Sequence, residues 1–326
     1  MIGLLKLLDP ERAHGIAKWA MKHRLLAPGK MKAGSGPYVF DTRLLNPFGL
    51  AAGFDKNGEL VDVIEDYGFG FMEVGSITFR GGPGNPKPRL FRLENGDILN
   101  RMGLNGEPAQ IVAPRLLRAK STRFGVNIAK THDPEIVGDK AIDDIVGSYK
   151  LLNRCGFYTA LNVSCPNTRE GKTFEQPEAL RDLLDEVGHH RLGAAPLLVK
   201  FSPTLVMEAD LSRLESLVAT CEYHNINGYV CCNTLPWEHA KYGKGGRSGS
   251  AVAPYTQQLV GVMRRRTTKT LIACGGIRDA EDARVMRRCG ADLFEVYNGF
   301  VSSPLAGPRF ARKINAEYER LATCNT

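Results

Sequence analysis

Apolar residues in this chain gather in short blocks, at 47–53, 70–76, 124–128, 159–163, 197–201, 228–232, 270–275 and 293–296. Between them lie longer stretches, such as 179–192, 210–224 and 280–289, in which apolar positions recur every three or four residues. Short continuous blocks suit strands buried on both faces, and the intervening periodicity suits amphipathic crossover helices. Eight strands of this kind predict an α/β fold, a (β/α)8 TIM barrel, over roughly residues 44–320. The division falls at 1–36 for an N-terminal helical segment and 37–326 for the barrel. A doubly wound open sheet is the competing architecture, but no GxGxxG follows the first strand.

Ahead of the barrel the pattern changes. Leu4, Leu5, Leu7, Leu8, Ile16, Trp19, Met21, Leu25 and Leu26 interleave with Lys6, Arg12, Lys18, Lys22, Arg24, Lys30 and Lys32, against only Asp9 and Glu11. Asp9-Pro10 has the form of an N-cap with Pro in the first turn, opening a basic amphipathic helix through about Lys22. No run approaches the ~20 apolar residues of a membrane span, and no small-residue cleavage site follows a hydrophobic core. Such a helix either lies in a membrane interface or packs on its own domain, and the pattern leaves both open.

The formal charge of +8 over 326 residues is compatible with nucleic acid, an anionic membrane or anionic small molecules. The densest basic run, Arg264-Arg265-Arg266 with Lys269, reads as a solvated helix end, and no basic patch with interleaved aromatics accompanies it. No nucleic-acid partner is expected. Eight cysteines without a CxxC pair lack the usual ligand spacing of a zinc site or an iron–sulfur cluster, so no metal is expected and a reducing cytoplasm is the simpler home.

Chemistry concentrates in LNVSCPNT, residues 161–168, a strand that ends in a loop bearing one thiol and two carboxamides. Cys165 can act as nucleophile or proton acceptor where its thiolate is favoured; Asn162 and Asn167 can donate to and accept from a planar polar ligand. Other polar residues also follow strands, on the loop face where barrel enzymes work. Lys56 follows the first, Ser76 the second and Asn127 the third; Lys200 ends the fifth, and Asn233 and Thr234 follow the sixth. Gly275-Gly276 and Tyr297-Asn298-Gly299 follow the last two, where barrels build phosphate sites.

Several segments occur in order: DPERAH (9–14), NPFGLAAGFDKNGE (46–59), GNPKPRLFRL (84–93), ILNRMGLNGE (98–107), NVSCPNT (162–168), the Ser-Gly of 245–249, ACGGI (273–277) and VYNGF (296–300). Together they resemble dihydroorotate dehydrogenase, specifically its membrane-associated, quinone-dependent class. The resemblance implies a flavin-containing barrel that oxidises (S)-dihydroorotate to orotate in pyrimidine (UMP) synthesis, passing electrons to a quinone at the cytoplasmic face of the inner membrane. It implies FMN at Ala52, Gly53, Lys56, Ser76, Asn127, Asn162, Lys200, Cys232, Gly249, Gly276, Tyr297 and Asn298. Substrate falls to Lys56, Asn100, Arg101, Asn162, Asn167, Asn233 and Thr234, with main-chain help from Met102, Gly103 and Leu104. A small ring of amides with one carboxylate needs amide-shaped partners and one cation, and this set supplies them. Cys165 would take the C5 proton while hydride passes from C6 to FMN N5, with activity rising in mildly alkaline solution. His14, Arg92 and Tyr297 match the quinone path, and the N-terminal helix gives a lipid-soluble acceptor a way in from a peripheral membrane surface.

The pattern is mixed. Quinone-dependent members usually carry serine at 165, whereas cysteine is the habit of the soluble class. Gly106, CNTLPW (232–237) and TREGK (168–172) also depart from the family's usual residues. These departures keep two alternatives in view: an FMN barrel acting on a related cyclic amide or using fumarate or NAD, and, behind it, a flavin-dependent tRNA-modifying barrel.

Overall fold

The structure, a computed structural model, describes residues 7–25, 27–29, 36–164, 174–191, 193–207, 211–302 and 307–323. Eight parallel strands form a closed ring in chain order: β1 (Phe48–Leu50), β2 (Phe71–Ile77), β3 (Phe124–Ile128), β4 (Tyr158–Asn162), β5 (Leu197–Phe201), β6 (Gly228–Cys231), β7 (Thr270–Cys274) and β8 (Leu293–Val296). The (β/α)8 barrel expected from the apolar blocks is therefore the fold, and seven blocks match their strands within a residue at each end. The first block is cut short. After Leu50 the chain keeps two bonds to neighbouring strands, Ala51 N–H to the Val296 carbonyl at 3.1 Å and Gly53 N–H to the Gly75 carbonyl at 2.7 Å, and turns at Gly53, where φ is +98°.

Alternation along the strands sorts the barrel interior into layers. Phe71, Tyr158, Leu198, Val230, Ile272 and Leu293 pack together with Leu44 and Phe157 as an apolar plug. Aromatic rings fit there because neighbouring strands carry glycine: a Cβ on Gly49 would lie 2.4 Å from the Phe71 ring, and one on Gly125 2.0 Å from the Tyr158 ring. Two residues further along the strands, the side chains turn polar: Glu73, Asn127, Lys200, Cys232, Cys274 and Glu295. Outside, the strands pack on helices that include α2 (Ala109–Leu117), α3 (Asp139–Leu152), α4 (Pro177–Gly188), α5 (Leu211–Tyr223), α6 (Ala253–Arg264), α7 (Ala280–Cys289) and α8 (Phe310–Thr323), in the larger of two apolar clusters.

The N-terminal helix α1 (Pro10–Lys22) begins where the sequence places it, with Asp9 Oδ1 accepting from the Glu11 and Arg12 amides at 3.1 and 3.0 Å. One face packs on the barrel through buried Ala13 and Met21. Arg89 grips Glu11 through Nη2 and Nε at 2.8 and 3.2 Å. Lys18 and Lys22 pair with Glu59, and the Tyr67 hydroxyl donates to the Leu25 carbonyl at 2.9 Å. The other face leaves Ile16 46% and Trp19 58% exposed. Among the described residues no helix is long and apolar enough to cross a membrane.

One element is absent from the sequence reading. A hairpin, Leu235–His239 with Gly243–Ser248, joins Ile98–Asn100 and Leu90–Arg92 in a four-stranded antiparallel sheet. Phe91 stacks on Tyr242 with centroids 4.5 Å apart, and Tyr242 on His239 at 4.7 Å. Its strands come from segments more than a hundred residues apart and carry glycines, so no local apolar block announces them.

Candidate active site

A cavity of about 1040 Å³ opens at the C-terminal ends of the strands. Small-molecule sites usually measure ~300–1,000 Å³, so this one stands at the large end of that range.

One wall is built from glycine. Gly275 and Gly276, after β7, have φ of +115° and +79°, and Gly249 has +115°. A Cβ on Gly249 would lie 2.1 Å from Asp97 Oδ1, and one on Gly276 2.4 Å from the Ala253 Cα at the start of α6. Asp97 ties this wall together, accepting from the Ser250 amide at 2.8 Å, the Ser250 hydroxyl at 3.1 Å and Arg247 Nε at 2.8 Å. Tyr297 and Asn298 extend the wall after β8. Main chain stacked against a helix N-terminus, with no side chains between, is suited to an anionic group.

In a ring of eight, β4 lies across from β8, and the wall there is made of carboxamides and hydroxyls. Asn162 Nδ2 donates to Ser76 Oγ at 3.2 Å, while its Oδ1 accepts from the Ser164 hydroxyl at 2.7 Å and Asn233 Nδ2 at 3.3 Å. Asn233 Nδ2 also reaches Ser164 Oγ at 2.8 Å, and its Oδ1 accepts the Thr234 amide at 2.8 Å. Asn100 Nδ2 donates to the Gly246 carbonyl at 3.0 Å, joining the antiparallel sheet to the mouth. Lys56 lines the same space, its pKa brought down to about 8 by burial first and then by the Lys18 charge. His14 of α1 also faces in; burial, then Lys56 and Lys18, press its pKa to about 3, so its ring is neutral at physiological pH.

Between the walls, strand positions 73, 158, 200 and 295 meet in the floor. Lys200 Nζ donates to Glu73 Oε1 at 2.9 Å and stands 3.5 Å from Glu295 Oε2. Burial works against this ammonium, but the acidic groups of Cys274, Glu73 and Glu295 outweigh it and hold its pKa well above the ordinary lysine value.

Most residues singled out in the sequence come together here: Ala52, Gly53, Met102, Gly103 and Leu104 join those already described in the lining. Asn127 and Cys232 lie just beneath it, Asn127 Nδ2 donating to Glu73 Oε1 at 3.0 Å and Cys232 Sγ meeting Thr256 Oγ1 at 3.2 Å. Arg101 borders the cavity, but its guanidinium donates to the Tyr242 and Pro88 carbonyls and lies 5.0 Å over the Phe91 ring. Arg92 is outside the lining and donates to the Leu8 carbonyl at 2.7 Å. Cys165 and Asn167 lie outside the described residues; Ser164, the last described residue before them, lines the cavity. Sequence reasoning passed over Ser164, Tyr158, Glu73 and Glu295. The two acids did leave a signal, each being a lone charge inside an apolar strand (FMEV, LFEV).

The family profile described as dihydroorotate dehydrogenase matches residues 37–321. The chain belongs to the dihydroorotate dehydrogenase family. A relative from Clavibacter michiganensis, named dihydroorotate dehydrogenase (quinone), is 35% identical over 345 residues, covering 98% of this chain and 96% of its own. One of the same name from a Roseiflexus species is 36% identical, with 95% and 90% covered. Among solved structures, DHODH from Eimeria tenella in complex with ferulenol superposes with a TM-score of 0.86 at 29% identity, covering 97% of this chain and 92% of that one. Dihydroorotate dehydrogenases are oxidoreductases and, as a family, flavin-dependent; those named for quinone are membrane-associated as a class.

Proposed function

We propose that this chain oxidises (S)-dihydroorotate to orotate in pyrimidine synthesis, with FMN held in the cavity and a quinone as electron acceptor. The observation that carries this reading is one cavity combining a glycine wall, a buried lysine in its floor and a carboxamide wall with Lys56, in a chain matching the family over 37–321.

The residues present fit FMN. Gly249, Gly275 and Gly276 leave a cradle that a Cβ could not share, against the N-terminus of α6, which suits the phosphate. Lys200 in the floor offers a cation to the pyrimidine edge of the ring. When bound, FMN supplies the acceptor for the hydride that leaves the substrate. The chain does the rest. Asn100, Asn162, Asn167 and Asn233 would hold the amides of the substrate ring, and the Lys56 ammonium its carboxylate. Cys165 would take the C5 proton, a weak acid whose removal needs a close and oriented base.

The Lys56 assignment has a pH signature. Above about 8 the free protein loses the Lys56 ammonium, so the affinity for orotate weakens by up to about tenfold per pH unit while thiol ionisation increases. The resulting kcat/KM profile is bell-shaped with its maximum near the crossing of the two. In a Lys56→Met variant, orotate binding followed by flavin difference spectra is weaker throughout and flat with pH; an unchanged slope would remove Lys56 from the carboxylate.

For the acceptor, His14 and Tyr297 share the cavity lining, with Phe54 between them at centroid distances of 4.6 and 6.0 Å. A neutral imidazole among aromatic rings suits an uncharged quinone. The exposed Ile16 and Trp19 would dip into a lipid surface beside it. Changing both to Asp is expected to abolish liposome co-sedimentation and lower turnover with a long-chain quinone at least severalfold, while flavin reduction by dihydroorotate is unaltered.

The deciding experiment is anaerobic bleaching of the yellow protein by dihydroorotate, followed by reoxidation with a quinone, fumarate or NAD⁺ in separate cuvettes. Absence of bleaching sinks the substrate; reoxidation by fumarate or NAD⁺ rather than quinone replaces the acceptor.

A further inference from the structure

Two acids, one ammonium and one phenol meet in the floor of the cavity, where the Glu73 and Glu295 side chains are 0% exposed and Lys200 5%. The Tyr158 hydroxyl stands 3.1 Å from Glu73 Oε2 and 3.1 Å from Glu295 Oε1. A phenol has one proton, and two full hydrogen bonds to carboxyl oxygens require two. The second proton sits on a carboxyl group. Glu73 is the ionised one of the pair, because the Lys200 ammonium at 2.9 Å and Asn127 at 3.0 Å both donate to its Oε1, and such bonds favour the carboxylate. Glu295 Oε2 accepts from no N–H or O–H among the described residues, with Lys200 3.5 Å away and the weakly donating Cys274 thiol beside the carboxyl group. Charge counting agrees, since two carboxylates against one ammonium would leave a net charge out of water, which is costly.

We propose that Glu295 is a neutral carboxylic acid that donates to Tyr158, whose hydroxyl donates to ionised Glu73, and that Glu295 is thereby a positioning residue setting the net charge beneath the flavin. Every strand around it is accounted for. β2 contributes Glu73, β3 the uncharged Asn127, β4 Tyr158, β5 Lys200, β6 leads to Cys232, and β7 contributes Cys274, whose register partner is Glu295; β1 brings only Phe48, Gly49 and Leu50. Burial pushes the Cys232 thiol up to about 12 and the Cys274 thiol well above its ordinary value, so both stay uncharged near neutrality. Burial, then the Glu73 charge, lifts Glu295 to about 8. Below that pH the cluster sums to zero; above it, to one negative charge. Extra negative charge beside a flavin opposes its reduction.

The charge also reaches the carboxamide wall. Asn127 donates to Glu73, Ser76 to Asn127, Asn162 to Ser76 and Ser164 to Asn162, a chain of hydrogen bonds all pointing toward Glu73. A carboxylate at its end polarises each donor in turn.

The redox consequence rests on the reading of the cavity as an FMN site, whereas the protonation does not, and the test separates them. Infrared difference spectra of the flavin-free protein between about pH 6 and about pH 10 are expected to show loss of a protonated-carboxyl band. Other buried carboxyls, such as Asp55 and Asp144, whose pKa values burial also raises, are common to both proteins; the Glu295 part is what Glu295→Gln removes. In the flavin-bound protein, the midpoint potential of the wild type should fall more steeply with pH above about 8 than that of Glu295→Gln, which keeps a neutral donor. A difference band as large in Glu295→Gln as in the wild type overturns the protonation, and parallel potential curves overturn its action on the flavin. If no flavin binds, the infrared result still decides the proton, and it is the cofactor reading that fails.

Discussion

Replacing Cys165 with alanine is expected to leave the protein yellow and to slow its bleaching by dihydroorotate by about 10²–10⁴-fold, the usual worth of a positioned general base. Flavin content should be unaffected, since Cys165 is not among the residues assigned to FMN. Anaerobic stopped-flow measures both quantities in one experiment. Cys165→Ser is the finer probe. The wild-type rate should climb as pH rises and a larger share of the thiol ionises, and the serine variant should lack that climb. Equal rates in wild type and Cys165→Ala would take the residue out of the reaction.

Replacing Lys200 with methionine is expected to cost about 3–5 kcal/mol of stability, the loss typical when one partner of a buried ion pair is removed. The ammonium is hydrogen-bonded to Glu73 at 2.9 Å and is the cation of the floor. Without it the Glu73 carboxylate faces an apolar plug of Phe71, Leu198 and Ile272 beneath. Chemical denaturation would read the loss as a lower midpoint. Adding Glu73→Gln should recover much of it, because the orphaned charge is removed along with its partner. A double variant no more stable than Lys200→Met would show that Lys200 contributes by packing rather than by charge.

The barrel was legible because its strands are short, continuous and apolar, a pattern that burial on both faces imposes. The helix α1 was equally plain, with Asp9 and Pro10 supplying a cap that needs nothing from the rest of the chain. Of its two readings the packing on its own domain is seen, Ala13 and Met21 turning inward while Trp19 stays exposed. The carboxamides Asn162 and Asn233 were found by their place at strand ends and Asn100 through the resemblance, yet the contacts of Asn162 and Asn233 through Ser76 and Ser164 were not, because those depend on strand register across the ring. Arg101 and Arg92 read as ligands by motif, but neighbouring carbonyls engage both guanidiniums, a competition that only folding creates. Glu73 and Glu295 went unremarked although a lone acid in an apolar strand cannot be there for solubility. Their partners, Lys200 and Tyr158, lie far away in sequence.

The apolar plug under the polar layer closes the barrel at one end. Phe40 reinforces it from below, its ring 6.3 Å from Phe157 and 6.2 Å from Tyr158. Among the described residues, the cavity is therefore the side from which solvent approaches the carboxyl cluster. A ligand seated over the cluster is expected to slow proton exchange with it, which a pH-jump followed on the carboxyl band would time with and without orotate.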